Sequence, residues 1–327
     1  MTSVILSSGD LLADRRASYA GMLHEFGEPR AAADLMLQAL ERAPAWAAGF
    51  FRLGEFCEAA GDLAAAADAW REVLRLDDGD RFGASLKLAA FGLMPTPDAP
   101  PAGYVESLFD AYAPTFESAL VERLEYRVPG LIAEAIQTVR PQAAFRHAVD
   151  LGCGTGLMGE CLRGRVSRID GIDLSHSMLQ KAADKRIYDR LDQCDVARLD
   201  LRVAPVDLVV AADVFVYLGD LGPVFARVAE ALEPGGLFAF SIERHANADE
   251  YAIGASLRFT HSRAYVARLL QEHRFAVLRI DEVDLRRDRG EPVAGLVVTA
   301  ERSREGMHDP LAAGIDLLAA SALRPQS

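Results

Sequence analysis

No stretch of the 327 residues comes near 18 uninterrupted apolar positions, and the opening MTSVILSSGD has no basic run ahead of its short apolar one. Neither a membrane span nor a secretion signal is expected, and the chain reads as a cytoplasmic protein. Positive charge is scarce: 35 Lys and Arg stand against 48 Asp and Glu, a formal net charge of −13. That is the wrong sign for a protein that tracks phosphates, which argues against nucleic acid as a main partner. Only four cysteines occur, Cys57, Cys153, Cys161 and Cys194, with no C-x-x-C pair and no metal-like spacing to the seven histidines. Reduced thiols and no structural metal are expected. What the chain does have is apolar mass: 50% of its residues are hydrophobic, enough at this length for a sizeable core and for two domains.

The segment LMPTPDAPPAGY carries Pro95, Pro97, Pro100 and Pro101, a run that continues neither a helix nor an interior strand. It is the expected boundary, with a helical domain over 1–94, a linker over 95–103, an α/β domain over 104–302 and a tail over 303–327. Before the prolines, Tyr19-Ala20, Leu23, Gly27, Ala32, Met36, Ala39 and Pro44 recur 34 positions later as Leu53-Gly54, Cys57, Gly61, Ala66, Trp70, Val73 and Asp78. Gly27 and Gly61 would turn the chain between paired helices, and Ala32 and Ala66 would let those helices approach closely. The period resembles the tetratricopeptide repeat, with Asp78 departing from the proline at that position. Two repeats and a third helix, near Asp80 to Phe91, fall short of an independent solenoid, so the unit is expected to lean on its neighbour. Its balance of nine Lys and Arg against 14 Asp and Glu through Met94 suits a basic or amphipathic protein segment as partner better than RNA.

After the prolines, RHAVDL, RIDGID, VDLVVAAD and GLFAFSI read as buried parallel strands separated by helix-length segments, the pattern of a doubly wound sheet. FAVLRIDEVDL and VAGLVVTA are joined by RRDRGEP, too short for a helical crossover, so they must form an antiparallel hairpin. The expected fold class is α/β, a Rossmann-like seven-stranded sheet ending in that hairpin and preceded by an all-α helical-repeat domain.

The first of these strands runs into VDLGCGTGLMGE, with glycines at 152, 154, 156 and 159. Read from Gly154 the loop satisfies G-x-G-x-x-G, and Asp173 follows where dinucleotide folds place their ribose acid. Asp150 argues against a pyrophosphate, which would meet its charge at close range. S-adenosylmethionine has no phosphates and carries a sulfonium and an ammonium, which suit an acidic rim. Asp195 in QCDV and the turn in ALEPGGLFAFSI add to the pattern. Together these motifs resemble the class I S-adenosylmethionine-dependent methyltransferases, and with the helical repeats the chain is similar to the predicted members that carry tetratricopeptide repeats. The resemblance implies that Asp150, Gly152, Gly154 and Gly156 line the methionine moiety, that Asp173 accepts the ribose hydroxyls, and that Asp195 and the Val196 backbone hold adenine. Met178 would pack on the adenine face or simply fill a helix core. The segment YVESLFDAYAPTFE looks like the aromatic helix that closes over the cofactor, nominating Tyr104, Phe109, Tyr112 and Phe116, with Tyr112 foremost.

Methyl transfer is an in-line displacement, so orientation dominates and no nucleophilic side chain is required. AADVFVYLGD stands where amino-group methylating DNA and protein members carry an N/D-P-P-Y/F tetrapeptide. Asp213 and Tyr217 there lie beyond a strand's carboxyl end, and Asp213 either faces the acceptor or caps its loop. The connection ERHANADEYAIGASLRFTHS is long enough for a lid; His261 near its end either faces the acceptor or merely precedes the helix cap Ser262. The expected function is methyl transfer to a small molecule or to a group displayed on a carrier or protein, with the repeats binding a partner. The alternatives are a non-enzymatic adaptor that senses S-adenosylmethionine and an NAD-dependent oxidoreductase.

Overall fold

The computed structural model describes residues 7–113, 126–198, 205–245, 250–254, 256–288 and 290–304. Two helical hairpins open it: α1 (Leu11–Glu25) with α2 (Pro29–Leu40), then α3 (Ala47–Ala59) with α4 (Leu63–Leu76), followed by the short α5 (Ala84–Ala90). Asp10 starts α1 by accepting the Leu12 and Ala13 amides, both at 2.9 Å, and Asp62 starts α4 by accepting that of Ala65 at 3.0 Å. Gly27 and Gly61 make the turns at φ +82° and +80°, a conformation glycine adopts without a Cβ penalty. Ala32 and Ala66 are fully buried. A Cβ on Gly54 would lie 2.2 Å from the Trp70 indole nitrogen, so the second hairpin closes only because that residue has no side chain.

The proline segment is more than a spacer. The backbone oxygen of Asp98 accepts from the Gly219 and Asp220 amides at 2.8 and 2.9 Å, and its carboxylate accepts from the Tyr251 hydroxyl at 2.7 Å. The next helix, α6 (Ala102–Tyr112), begins within the expected linker, with Pro101 as its cap residue. Ahead of it, Gly83 sits where a side chain would strike the Tyr104 ring at 2.8 Å, so the end of the helical region and α6 are in close contact.

The remaining elements are α7 (Val128–Val139), β1 (Phe145–Leu151), α8 (Leu157–Leu162), β2 (Val166–Asp173), α9 (His176–Asp184), β3 (Arg190–Gln193), β4 (Val206–Ala211), α10 (Gly222–Ala231), β5 (Leu232–Glu243), β6 (Tyr251–Ile253), β7 (Phe259–His261), α11 (Arg263–Glu272), β8 (Phe275–Asp288) and β9 (Glu291–Arg302). Seven strands form one sheet in the order β3-β2-β1-β4-β5-β9-β8. β1 to β5 are mutually parallel, and β9 runs antiparallel to both of its neighbours. Both sheet faces are covered. Phe215, Phe225, Phe238 and Phe240 centre the core on one side, and Ile132, Ile136, Met158 and Leu162 belong to the other.

The hairpin expected from the sequence is longer than its apolar runs suggested. Pairing continues to Asp288 opposite Glu291, with Gly290 at φ +86° in the turn, so RRDRGEP is mostly strand. LEPGG likewise belongs to a strand: α10 stops at Ala231, and a register shift between Val206 and Leu208 absorbs the glycines. The long connection after β5 is not plain loop but carries the small β6–β7 ribbon. Strand order reverses between β1 and β4, and their carboxyl ends define the crevice where open α/β sheets bind ligands.

Candidate active site

Gly152, Gly154 and Gly156 leave the tip of β1 at φ +62°, +54° and +95°. A Cβ added at 152 would lie 2.6 Å from Val214 on the loop after β4, so the missing side chain lets the two loops approach closely. Asp150 is fully buried near the end of β1. Its Oδ2 accepts the Tyr188 hydroxyl at 2.6 Å, and its Oδ1 has no hydrogen-bond partner. Burial pushes this carboxyl up to about 7, against the Tyr188 hydrogen bond, which lowers it. An orphaned carboxylate oxygen in a buried site is suited to a cation, and S-adenosylmethionine brings an ammonium beside its sulfonium.

Asp173 ends β2. Its Oδ2 accepts the Gly154 amide and its Oδ1 the Ser175 amide, both at 2.8 Å. Burial raises its pKa and these backbone bonds partly offset the rise. Each oxygen keeps a second lone pair, so the fixed carboxylate can still accept a ribose diol. Ser175 caps α9, and its hydroxyl donates to Asp110 at 2.6 Å, drawing α6 over this edge. Asp195 follows β3 and accepts the Ala197 amide at 2.9 Å, with Val196 buried beside it. Tyr112 is half-buried at the end of α6. Met178 lies on α9, enclosed by protein at 0% exposure. Phe116 lies outside the described residues.

On the other side of the crevice, Asp213 follows β4 at φ +59°, an uncommon conformation for a residue with a Cβ. Its amide donates to Ser241 Oγ at 2.9 Å, and its carboxylate lies 3.4 Å from Arg286 and 3.6 Å from Arg258. Glu243, at the end of β5, pairs with Arg286 of β8 and lies 3.3 Å from Arg258 of the lid. Glu243 and Arg286 are each 6% exposed. Burial opposes the Arg258 charge, but Tyr217, Asp213 and Glu243 outweigh it and raise the guanidinium above its ordinary pKa. Arg258 stands 5.5 Å over the Tyr217 ring, and Phe109 of α6 meets the same ring edge-on at 5.1 Å. Desolvation raises the Tyr217 pKa, so its hydroxyl stays neutral. Burying Glu243 and Arg286 costs several kcal/mol per ion before pairing, and with the part-buried Asp213 and Arg258 they gather at the carboxyl edge of β4, β5 and β8.

His261 is the clearest departure from expectation. It is fully buried, its Nε2 lies 2.9 and 3.0 Å from the Leu218 and Gly219 carbonyl oxygens, and its ring stacks on Tyr265 at 6.0 Å. The two carbonyls require Nε2 to carry the proton. Burial lowers its pKa to about 4 despite them. The residue is a neutral pin fastening β7 to the loop after β4, not a base presented to an acceptor. The sequence reading missed Arg258, Glu243, Arg286 and Tyr188. Charged residues in a lid or strand are usually solvated, and Tyr188 becomes meaningful only once Gly159 and Gly171, whose added Cβ atoms would fall 2.7 and 2.9 Å from its side chain, are seen around it.

Residues 149–240 match the family model of the methyltransferase domain. The malonyl-[acyl-carrier protein] O-methyltransferase of Salmonella typhimurium is 29% identical over 109 residues, 33% of this chain and 43% of that enzyme. The trans-aconitate 2-methyltransferase of Deinococcus radiodurans is 32% identical over 113 residues, 34% of this chain and 43% of that enzyme. The chain thus spans less than half the length of these curated relatives. Among solved structures, the Burkholderia thailandensis 1,6-didemethyltoxoflavin-N1-methyltransferase with bound S-adenosylhomocysteine superposes at a TM-score of 0.51 and 18% identity, covering 64% of this chain and 94% of that one. Residues 149–240 thus match a methyltransferase domain, which supports S-adenosylmethionine as the cofactor, and the likeness to the solved structure shows the fold of the α/β region. Among the described residues no cluster suits a metal ion, and no helix is long and apolar enough to cross a membrane.

Proposed function

We propose that the protein is an O-methyltransferase whose acceptor carries a carboxylate, either a small acid or an acid displayed on a carrier or protein, and that residues 1–94 form a tetratricopeptide-like domain that binds a partner. The observation that carries the acceptor class is the pair Arg258 and Arg286, held at the carboxyl edge of the sheet by Asp213 and Glu243. An arginine fork matches a carboxylate bidentately, and arginines already oriented by acids lose little freedom on binding one. The curated relatives support the reading, since a malonyl group and trans-aconitate both carry carboxylates.

When bound, S-adenosylmethionine supplies a methyl group on a sulfonium. Asp150 would hold its ammonium, Asp173 its ribose, and Asp195 with Val196 its adenine, with the glycine loop beside the methionine chain. Tyr217 and Arg258 close the acceptor side, and Tyr112 with the rest of α6 excludes water. A carboxylate oxygen needs no general base, so the chain's work is to place that oxygen in line with the methyl group, an orientation effect of about 7–11 kcal/mol in favourable cases.

The test is transfer from isotopically labelled S-adenosylmethionine to a panel of di- and tricarboxylates, acyl-carrier thioesters, phenols and amines. Base-labile methyl esters are expected from the acids. Losing a charged hydrogen bond in Arg258→Leu should slow transfer about 10- to 150-fold, or 1.5–3 kcal/mol, with S-adenosylmethionine affinity unchanged. Methylation confined to phenols or amines would sink the carboxylate assignment.

A further inference from the structure

The outer face of α1 is out of keeping with the rest of the surface. Leu11 is 83% exposed, Leu12 46%, Tyr19 62%, Met22 49% and Phe26 79%. At 100° per residue these five fall in one arc of about 100°, opposite the buried Ala13, Ala17 and Ala20 that meet the rest of the helical region. A helix apolar on opposite sides is built to be covered on both. We propose that this face is a self-association surface, through which the protein pairs with a second copy of itself.

The 34-residue offset shows what the face is for. Leu12, Tyr19 and Met22 correspond to Trp46, Leu53 and Phe56 on α3, which are 7%, 5% and 1% exposed. That side of α3 packs on the preceding hairpin: an added Cβ at Gly49 would lie 2.9 Å from Leu40 of α2, and the Phe56 ring stands 5.1 Å from His24 of α1. The middle of the stripe on α1 is the same stacking face, extended at its ends by Leu11 and Phe26, whose counterparts Ala45 and Ala60 are small and not buried, and no described residue covers it. The opposite end of the stack is partly covered, with Phe91, Leu93 and Met94 still 36%, 45% and 39% exposed. Phe91, just after α5, stacks on Trp70 at 5.8 Å, Lys87 pairs with Glu58, and Tyr104 of α6 abuts Gly83.

A face that meets the same face of a second copy closes as a two-fold pair, α1 against α1. Run antiparallel about Ser18 and Tyr19, Leu11 of one copy meets Phe26 of the other, and the apolar stem of Arg15 meets Met22. The five side chains leave about 600 Å² per copy, or about 1,200 Å² for the pair, the lower edge of stable interfaces. The chain's own remaining segments fit less well. The stripe is about 22 Å long, whereas the apolar run Val4–Leu6 reaches about 10 Å fully extended. The last described residue, Arg304, lies against Gly235 near the start of β5, at the sheet edge away from Gly219 and Tyr251, where the helical region is joined.

The test is sedimentation of the full chain from about 1 to 100 µM, a range over which a micromolar pair shifts from monomer to dimer. A dimer is expected. The double variant Tyr19→Glu/Phe26→Glu should be monomeric throughout, with unchanged circular dichroism and S-adenosylmethionine affinity, while Leu37→Glu, at an exposed site on α2, should still pair. A monomeric parent at the top of the range overturns the proposal, as does a dimer that the double variant leaves intact. A monomer whose melting temperature falls on removal of residues 305–327 would put the tail on the stripe instead.

Discussion

Asp150 combines a buried carboxyl, one hydroxyl donor and one oxygen with no partner, so its ionisation is coupled to whatever cation approaches it. Because folding raises its pKa from 3.8 to about 7, the stability it contributes is fully present below the ordinary value and lost as pH rises through about 7. A cationic ligand reverses the preference. S-adenosylmethionine affinity should therefore climb by up to about tenfold per pH unit below 7 and level off above it, with proton release visible in calorimetry across buffers of different ionisation enthalpy. Tyr188→Phe removes the hydrogen bond that lowers this pKa, so its midpoint should move to higher pH; an unmoved midpoint would mean that Tyr188 is only filler. His261 has the opposite sign. Folding lowers its pKa from 6.5 to about 4, so its contribution is present above 6.5 and lost as pH falls through 4, on the order of 3 kcal/mol. Thermal melts of His261→Gln against the parent should show the acid-sensitive limb in the parent alone.

The β6–β7 ribbon and the turn before β7 are tied down at three places: His261 to the loop after β4, Tyr251 to Asp98, and Arg258 to Asp213 and Glu243. Gly219 marks the crowded junction, since an added Cβ would lie within 2.9 Å of Tyr251, Phe259 and the Pro97 carbonyl. The proline segment is thereby part of the lid's support. Tyr251→Phe removes one hydrogen bond, worth about 0.5–1.5 kcal/mol. It should raise the acceptor KM roughly two- to tenfold and speed proteolysis near β6, while leaving S-adenosylmethionine affinity unchanged. Equal proteolysis rates for variant and parent would show that the Asp98 contact does not hold the ribbon.

Across the whole molecule, the residues proposed to hold the cofactor lie on β1, β2, β3 and their loops, and α6 begins only after the prolines. Excising residues 1–94 should leave cofactor affinity within about twofold but lower the melting temperature, because Tyr104 loses the Gly83 surface against which it packs. If the truncated protein folds yet no longer binds S-adenosylmethionine, the helical region reaches into the pocket and the boundary is misplaced.

The parts of this protein legible in its sequence are those that a few neighbouring residues decide. The alternation of apolar strands and helices, the short link that forces the terminal hairpin, the turn glycines at 27 and 61, the Ser262 cap and the glycine loop between Asp150 and Asp173 each depend on local sterics and hydrogen bonding, and each occurs as read. Tertiary structure decided what joins residues far apart in the chain. Only the sheet order brings Tyr188 beneath Asp150, Asp98 onto Gly219, and Arg286 beside Asp213 and Glu243. The same enclosure turned His261 from a candidate base into a buried pin, because a side chain's chemistry depends on its neighbours and on its access to water, and both are set by packing rather than by position in the sequence.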